Sequence, residues 1–205
     1  MTQSVTQTAS ATRPLIDLLI PVRPTALRLP LQIVLGVAFL ALLAQLEVNI
    51  GPVPLTGQTL GVLLLGAAYG GRLGALTLLS YLLVGGFGLG VFSGGGAGWS
   101  YLSGATAGYL VGFLIAAPLV GLLAQRGLTR SFGGAVLVMS LGNVLIYLPG
   151  LAWLYTFAGQ YAPAGTAPLA WTLSAGLVAF IPGDVLKLLV AAALLPLAER
   201  VLGRR

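Results

Sequence analysis

The sequence predicts an all-α integral membrane protein, a bundle of six transmembrane helices. Three observations carry that prediction. Of 205 residues, 58% are hydrophobic and only 7% are charged, where a soluble domain carries about 25% charge. The apolar runs are unbroken, whereas the strands of an outer-membrane barrel alternate apolar and polar residues in short segments. The basic residues also segregate: with six spans, nine of the ten fall on one side.

The elements follow in chain order. Residues 1–30 read as a polar, proline-rich lead-in. Met1–Thr12 is rich in Ser, Thr and Gln and reads as a disordered tail. It lacks the basic n-region and short apolar core of a signal peptide. Pro14, Pro21, Pro24 and Pro30, with Arg13, Arg23 and Arg28 among them, suggest an interfacial stretch with a short amphipathic turn near Leu15–Ile20. Residues 31–199 form the membrane domain. Its first span is 31–46, and Pro52 and Pro54 break the loop that follows. The second and third spans, 55–69 and 73–84, are short for a bilayer and turn at Gly70-Gly71-Arg72. The fourth span, 104–125, repeats small residues at Gly104, Gly108, Gly112 and Ala116, a ridge that lets a neighbouring helix approach closely. The fifth, 133–157, holds Asn143 and Tyr147 on one face, with Pro149-Gly150 as a bend. The sixth, 169–199, has Pro182-Gly183 inside it as a kink. Residues 200–205 form a basic tail.

Six spans put both termini on one side. Arg13, Arg23, Arg28, Arg72, Arg126, Arg130, Arg200, Arg204 and Arg205 share that side, and the three opposite loops hold no basic residue. The positive-inside rule makes it cytoplasmic. The protein then lies in the cell (cytoplasmic) membrane, multi-pass, in contact with membrane lipid.

Composition also excludes functions. The chain has no cysteine and no histidine, which removes disulfides, thiolate catalysis, the HExxH zinc site and His-containing triads. No cofactor and no metal site is read from it. The net charge of +6 does not indicate nucleic acid, because the basic residues stand singly at helix ends. No Walker A sequence occurs, so the chain itself does not hydrolyse ATP. Residues 85–98 hold eight glycines among 14 residues. Such a run suits either a lid, with Gly94, Gly95 and Gly96 over a ligand, or a flexible connector.

The densest chemistry is Phe180-Ile181-Pro182-Gly183-Asp184-Val185-Leu186-Lys187. It contains the only lysine and one of four acids, set in an apolar run. Asp184 and Lys187 share a helix face. Each charge at mid-bilayer costs about 2.5–3.5 kcal/mol on insertion scales, so such groups pair, line a wet cavity or mark a substrate path. A structural ion pair is one reading and a binding pocket beneath the outer loops is the other. Asn143 and Tyr147 lie at similar depth.

These fragments together resemble the BioY family, the biotin-binding S-component of energy-coupling factor (ECF) transporters. The resemblance spans about 31–195. It rests on Gly51-Pro52-Val53-Pro54-Leu55-Thr56-Gly57-Gln58-Thr59-Leu60, on Val91-Phe92-Ser93-Gly94-Gly95-Gly96, and on the Asp184 stretch. Two features depart from it. Gly104-Ala105-Thr106-Ala107-Gly108-Tyr109 stands where the family often has Gly-Pro-Thr-Gly-Gly-Tyr. Ala38, Ala41 and Ala44 replace the Ala-xxx-Ala docking pattern of the first helix. The resemblance implies an ECF S-component fold and biotin as ligand. It implies Asp184 on the ureido N–H groups, Asn143, Gln58 and Thr56 near the same head, and Lys187 either neutralising Asp184 or meeting the carboxylate. Tyr81, Tyr109, Tyr147 and Trp99 would supply walls. It further implies a coupling transmembrane subunit and two ABC ATPases as partners, and leaves open action alone or as a homo-oligomer. Three other readings compete: a carrier for another small vitamin or anion, an intramembrane enzyme using Ser140 or Ser174 with Lys187, and a passive scaffold.

Overall fold

The computed structural model describes residues 14–19 and 25–201. Its helices are α1 Ile16–Leu19, α2 Thr25–Gln45, α3 Gln58–Gly86, α4 Gly98–Leu102, α5 Ala107–Gln125, α6 Phe132–Tyr155, α7 Ala158–Tyr161, α8 Pro168–Leu173 and α9 Ile181–Val201. A π-helical stretch, Ser174–Val178, leads from α8 towards α9. A two-stranded antiparallel ribbon pairs β1, Glu47–Val48, with β2, Leu55–Thr56, and sets Glu47 opposite Thr56. Five segments are long and apolar enough to cross a membrane: Ala26–Gln45, Gln58–Gly86, Ala107–Gln125, Phe132–Tyr155 and Pro168–Val201.

The second of these is folded back on itself. Gly70 has φ 76° and ψ 177°, a region of backbone space open essentially to glycine alone. The helix reverses there. Gln58 Nε2 consequently donates to Tyr81 Oη at 2.8 Å, two residues that a straight helix would hold about 35 Å apart. The sequence reading placed a turn across Gly70-Gly71-Arg72; the structure completes it at Gly70 and resumes the helix at once. The Gly71 N–H donates to the Gln125 side-chain oxygen at 3.2 Å, which fixes the turn against the end of α5.

Helix α5 is the centre of the bundle, packed against α3 on one side and α6 on the other. Small residues make both contacts close. A Cβ at Gly121 would lie 2.6 Å from the Gly71 nitrogen and 2.7 Å from the Gly66 oxygen, and one at Gly112 would lie 2.7 Å from the Ile146 Cα. The small-residue ridge of α5 is therefore a packing surface. Helix α5 starts at Ala107 rather than Gly104. The Gly104 carbonyl instead accepts from Trp153 Nε1 at 2.9 Å.

The short turn expected near Leu15–Ile20 is α1, where Leu15, just before it, and Ile16 are buried. Two boundaries differ from the sequence reading. Helix α2 begins at Thr25 and carries Pro30 inside it, so the helix reaches into what was read as lead-in. The last span, Pro168–Val201, bends at Ala179-Phe180, where a turn separates the π-helical stretch from α9. Pro182 then sits in a first helical turn, where its missing N–H costs no helical hydrogen bond. The bend falls just before the proline for that reason. The expectations for residues 1–12, Arg13, Arg23 and 202–205 lie outside the described residues.

The two ends of the bundle differ in chemistry. At one end Arg28 pairs with Asp17 at 2.5 Å. There too Arg130 Nε lies 3.6 Å from Glu199, which also accepts from Thr129 at 3.1 Å. At the other end lie the ribbon, the glycine run and the connector that holds α7. Gly121→Ala should lower the thermal midpoint in detergent by several degrees, because overpacking costs about 1–3 kcal/mol. Gly133→Ala, whose added Cβ meets nothing within 4 Å, should leave it unchanged. Paired melting curves of the two variants check this.

Candidate functional site

Asp184 lies in the first turn of α9, beside a helix N-terminus created inside the bundle by the turn at Ala179-Phe180. The aligned peptide dipoles there favour a carboxylate. Lys187 follows one turn later, and its Nζ donates to Asp184 Oδ1 at 2.9 Å. Two further Lys187 contacts run to the Thr56 carbonyl at 2.7 Å and the Thr59 hydroxyl at 3.3 Å. Thr59 in turn donates to Asp184 Oδ1 at 3.0 Å. Tyr147 Oη donates to Asp184 Oδ2. One ion pair thus ties together β2, α3, α6 and α9.

A count of hydrogen-bonding capacity shows what the pair can still accept. An ammonium has three protons, and all three of Lys187 have protein acceptors here. A carboxylate has about four lone-pair positions. Thr59, Lys187 and Tyr147 occupy three of those on Asp184, which leaves one on Oδ2. The side chains are 18% exposed for Lys187 and 6% for Asp184, so the pair is largely shielded from solvent. The pair is electrically neutral as a unit. It offers an open acceptor and no unspent cation.

This polar pole closes one side of a cavity that is narrow in this state, with an accessible volume of about 40 Å³. Small-molecule sites are mostly apolar with a few polar groups that fix orientation, and this lining has that character. Thr56, Gln58 and Thr59 line it beside the pair, while Tyr109, Phe113, Ile146 and Phe180 form the apolar walls. The Tyr109 ring is held from behind, because its hydroxyl donates to the Gly176 carbonyl at 2.7 Å. Gly176 belongs to the π-helical stretch, where the widened register leaves carbonyls for such outside donors.

The glycine run forms the roof. Phe92 is fully buried and stacks on Tyr101 at 4.8 Å between ring centroids. Tyr101 comes from α4 and lines the cavity from above. Burial pushes its phenol above the ordinary tyrosine value, so it stays protonated and keeps an O–H to donate. The run is latched to the end of α2. Gln45 donates to the Phe92 carbonyl at 3.0 Å and accepts from the Gly95 N–H at 3.0 Å. Ser93 Oγ donates to the Glu47 carboxylate. Gly94 and Gly95 both have positive φ, 64° and 70°, which allows this tight reversal.

Of the residues singled out from sequence, Asp184, Lys187, Tyr147, Tyr109, Gln58 and Thr56 meet around the cavity. Tyr81 stands behind it. Its hydroxyl accepts from Gln58 and donates to the Val91 carbonyl at 2.8 Å, so it joins the cavity wall to the roof. Gly94, Gly95 and Gly96 belong to the roof and do not line the cavity. Asn143 does not line it either, and its buried side-chain oxygen has no hydrogen-bond partner among the described residues. Trp99 is 60% exposed and packs edge-on against Phe87, away from the cavity. Sequence reasoning passed over Thr59, Tyr101, Thr106 and Phe180. Thr59 had one available signal, its place one helical turn after Thr56 at the start of an apolar helix.

Comparison with known proteins places this arrangement. A model described as the BioY family matches residues 16–204. A Rhizobium etli protein named biotin transporter BioY is 38% identical over 163 residues, covering 76% of this chain and 82% of that one. A Pyrococcus horikoshii protein named probable biotin transporter BioY is 37% identical over 171 residues, 83% of this chain and 94% of that one. A solved structure, described as the S-component for biotin from an ECF-type ABC transporter, superimposes with a TM-score of 0.73 at 25% identity. It covers 87% of this chain and 94% of its own.

The ion pair makes a stability prediction that needs no ligand. Removing one partner of a buried pair strands the other and costs about 3–5 kcal/mol, whereas removing both is close to neutral. Asp184→Ala should therefore lower the thermal midpoint sharply, and adding Lys187→Met should recover most of the loss. Thermal unfolding of both variants in detergent decides it; equal losses in the two would show that the pair contributes little.

Proposed function

Because the chain belongs to the BioY family, we propose that it takes up biotin across a membrane and binds it in the cavity beneath the glycine roof. One observation carries the assignment of this site: a neutral, largely shielded polar pole with one free carboxylate lone pair, facing apolar aromatic walls. Biotin has a neutral ureido ring with two N–H donors, an apolar thioether ring, an alkyl tail and a carboxylate. The ureido N–H suits the open position on Asp184, since hydrogen bonds to a charged acceptor are the strong ones. Gln58 and Thr59 stand close enough to serve the same ring. Phe113, Tyr109 and Phe180 take the thioether ring and tail. Lys187 neutralises Asp184 rather than waiting for the carboxylate, because its three protons are already placed. The carboxylate then lies towards the mouth, near Tyr101 and Thr106.

The roof acts as a lid in this reading. Gly94, Gly95 and Gly96 carry the turn that lets it lift, and Gln45 and Glu47 hold it shut. Asn143 supports α6 next to Tyr147 and stays outside the contact shell.

We count the two arms of α3 as separate spans, which makes six and places both termini together. The arginine-bearing end then faces the cytoplasm by the positive-inside rule, in the cytoplasmic membrane. The chain acts as the substrate-binding S-component, and the uphill step belongs to a coupling membrane subunit and two ABC ATPases. The absence of a Walker A sequence and the solved structure's description as part of an ECF-type ABC transporter support that division of labour. The protein is a transport subunit and not an enzyme. Residues 1–24 precede the first span, and the basic tail follows α9.

Labelled-biotin binding to the purified protein tests the core of this reading. Asp184→Asn should lose about 1.5–3 kcal/mol, the worth of a hydrogen bond to a charged group, or roughly 10- to 150-fold in affinity. The Asp184→Asn/Lys187→Met protein should fold yet bind poorly. Full-affinity binding by that double variant would remove the pair from the site. Orientation is tested separately with Gly133→Cys and Gly159→Cys, whose side chains enter open space. An impermeant thiol reagent added to intact cells should label the second and not the first; the reverse pattern would invert the topology.

A further inference from the structure

A second cavity adjoins the first, with an accessible volume of about 340 Å³. The two share Pro54, Tyr101 and Thr106, so the mouth of the lower cavity is the floor of the upper one. Glu47, Asn49 and Ser93 stand on the walls of this vestibule, with Tyr161 opposite. Glu47 is the single charged residue in 46–57, 87–106 and 156–167, the three segments at this end of the bundle. It is partly exposed. Its carboxylate accepts from Ser93 and, at 3.4 Å, from Asn49, and neither partner neutralises its charge.

The vestibule is thus a negative chamber placed where the tail of a ligand in the lower cavity would emerge. A free carboxylate at the mouth gains nothing from that charge. A ligand whose carboxylate is masked as an amide, and which continues into a cationic tail, does gain. We propose that this protein also accepts biotin amides carrying a cationic extension, with the tail ammonium paired to Glu47 in the vestibule, and that Glu47 discriminates against anionic extensions. The inference rests on the biotin reading above and on the orientation it assigns, with the ureido ring at Asp184 and the tail outward. Biotin joined through its carboxyl to a diamine belongs to this substrate class.

The magnitude follows from exposed charge pairs. Attraction across such a pair is worth up to about fivefold in affinity and repulsion costs as much, so tails of opposite charge should differ by about tenfold.

The experiment is competition against labelled biotin on the full chain in detergent. The competitors are three biotin amides of similar length, made from diaminopentane (cationic), pentylamine (neutral) and aminohexanoate (anionic). The cationic amide should bind about tenfold more tightly than the anionic one, with the neutral amide between them. Glu47→Gln keeps an acceptor for Ser93 and should bring the ratio to within about twofold. Raising the ionic strength of the wild-type assay should compress the same ratio, because screening acts on exposed charges; this second measurement stands even where the variant does not fold. If labelled biotin binds and no amide displaces it, the tail is enclosed and the proposal is overturned while the biotin site survives. A charge preference absent from the wild type, or one unchanged by both Glu47→Gln and salt, overturns it as well. If labelled biotin itself does not bind, the underlying assignment fails instead.

Discussion

A carboxylate and an ammonium side by side in an apolar bundle hold their places only when their remaining faces are also satisfied, because removing two charges from water costs more than their attraction alone returns. Asp184 and Lys187 meet that condition through groups from three other elements. Thr56 contributes a backbone carbonyl from β2, Thr59 a hydroxyl from α3, and Tyr147 a phenol from α6. Each group must arrive within hydrogen-bond distance at once. The ion pair therefore constrains where β2 ends, where α3 begins and how α9 lies against α6. The cavity is the space that these fixed points enclose.

The rest of the bundle serves that geometry by bringing backbones close. Glycines on α3 and α5 leave no room for a side chain between the two helices, and the reversal at Gly70 returns the second arm of α3 to the first. That return puts Tyr81 against Gln58. Tyr81 then reaches the Val91 carbonyl, so a residue in the middle of the fold joins the cavity floor to the roof through two hydrogen bonds. The roof is closed on itself by backbone hydrogen bonds, among them Phe92 N–H to the Gly96 carbonyl and Gly95 N–H to the Phe92 carbonyl. It depends on Phe92 filling the space beside Gly85, where a Cβ would collide with the ring, and on the Gln45 and Glu47 latch. A loop so rich in glycine holds its shape through these attachments, because its own residues gain little from burial and lose much entropy on ordering.

What could be read from sequence divides along a physical line. Charges in an apolar run are conspicuous, since each must be explained, and this brought out Asp184 and Lys187. Tyr147 followed from sharing a face with Asn143. Asn143 does not line the cavity in this state: helical periodicity gives a face, but two residues one turn apart on that face differ by about 6 Å in depth. Thr59 and Phe180 lay inside the quoted stretches, yet neither they nor Tyr101 were named as site residues, because a threonine or an aromatic in an apolar segment looks the same whether it packs or lines a cavity. The turn near Gly70 was legible from paired glycines next to an arginine. Its tightness was not, because the unusual backbone angles of Gly70 are set by what packs against the turn. The short helix α4 in the glycine run carried no periodic signal at all.

The bend before α9 falls at the turn just ahead of the expected Pro182-Gly183 kink, and the reason bears on the site. Proline inside a helix removes a hydrogen bond and clashes with the preceding turn, so a kink at Pro182 was the natural expectation. The chain avoids the clash by bending through a turn just before the proline. The π-helical stretch at Ser174–Val178 and the turn at Ala179-Phe180 absorb the change in direction. Pro182 then falls where a proline is harmless. The new start also places a helix N-terminus in the low-dielectric interior, with Asp184 in its first turn. Peptide dipoles near a helix start stabilise a negative charge by up to about 2 kcal/mol when partly buried. The Pro182-Gly183 step thus does more than bend a span: it leaves Asp184 in a first helical turn, within reach of Thr59 and Tyr147 as well as Lys187.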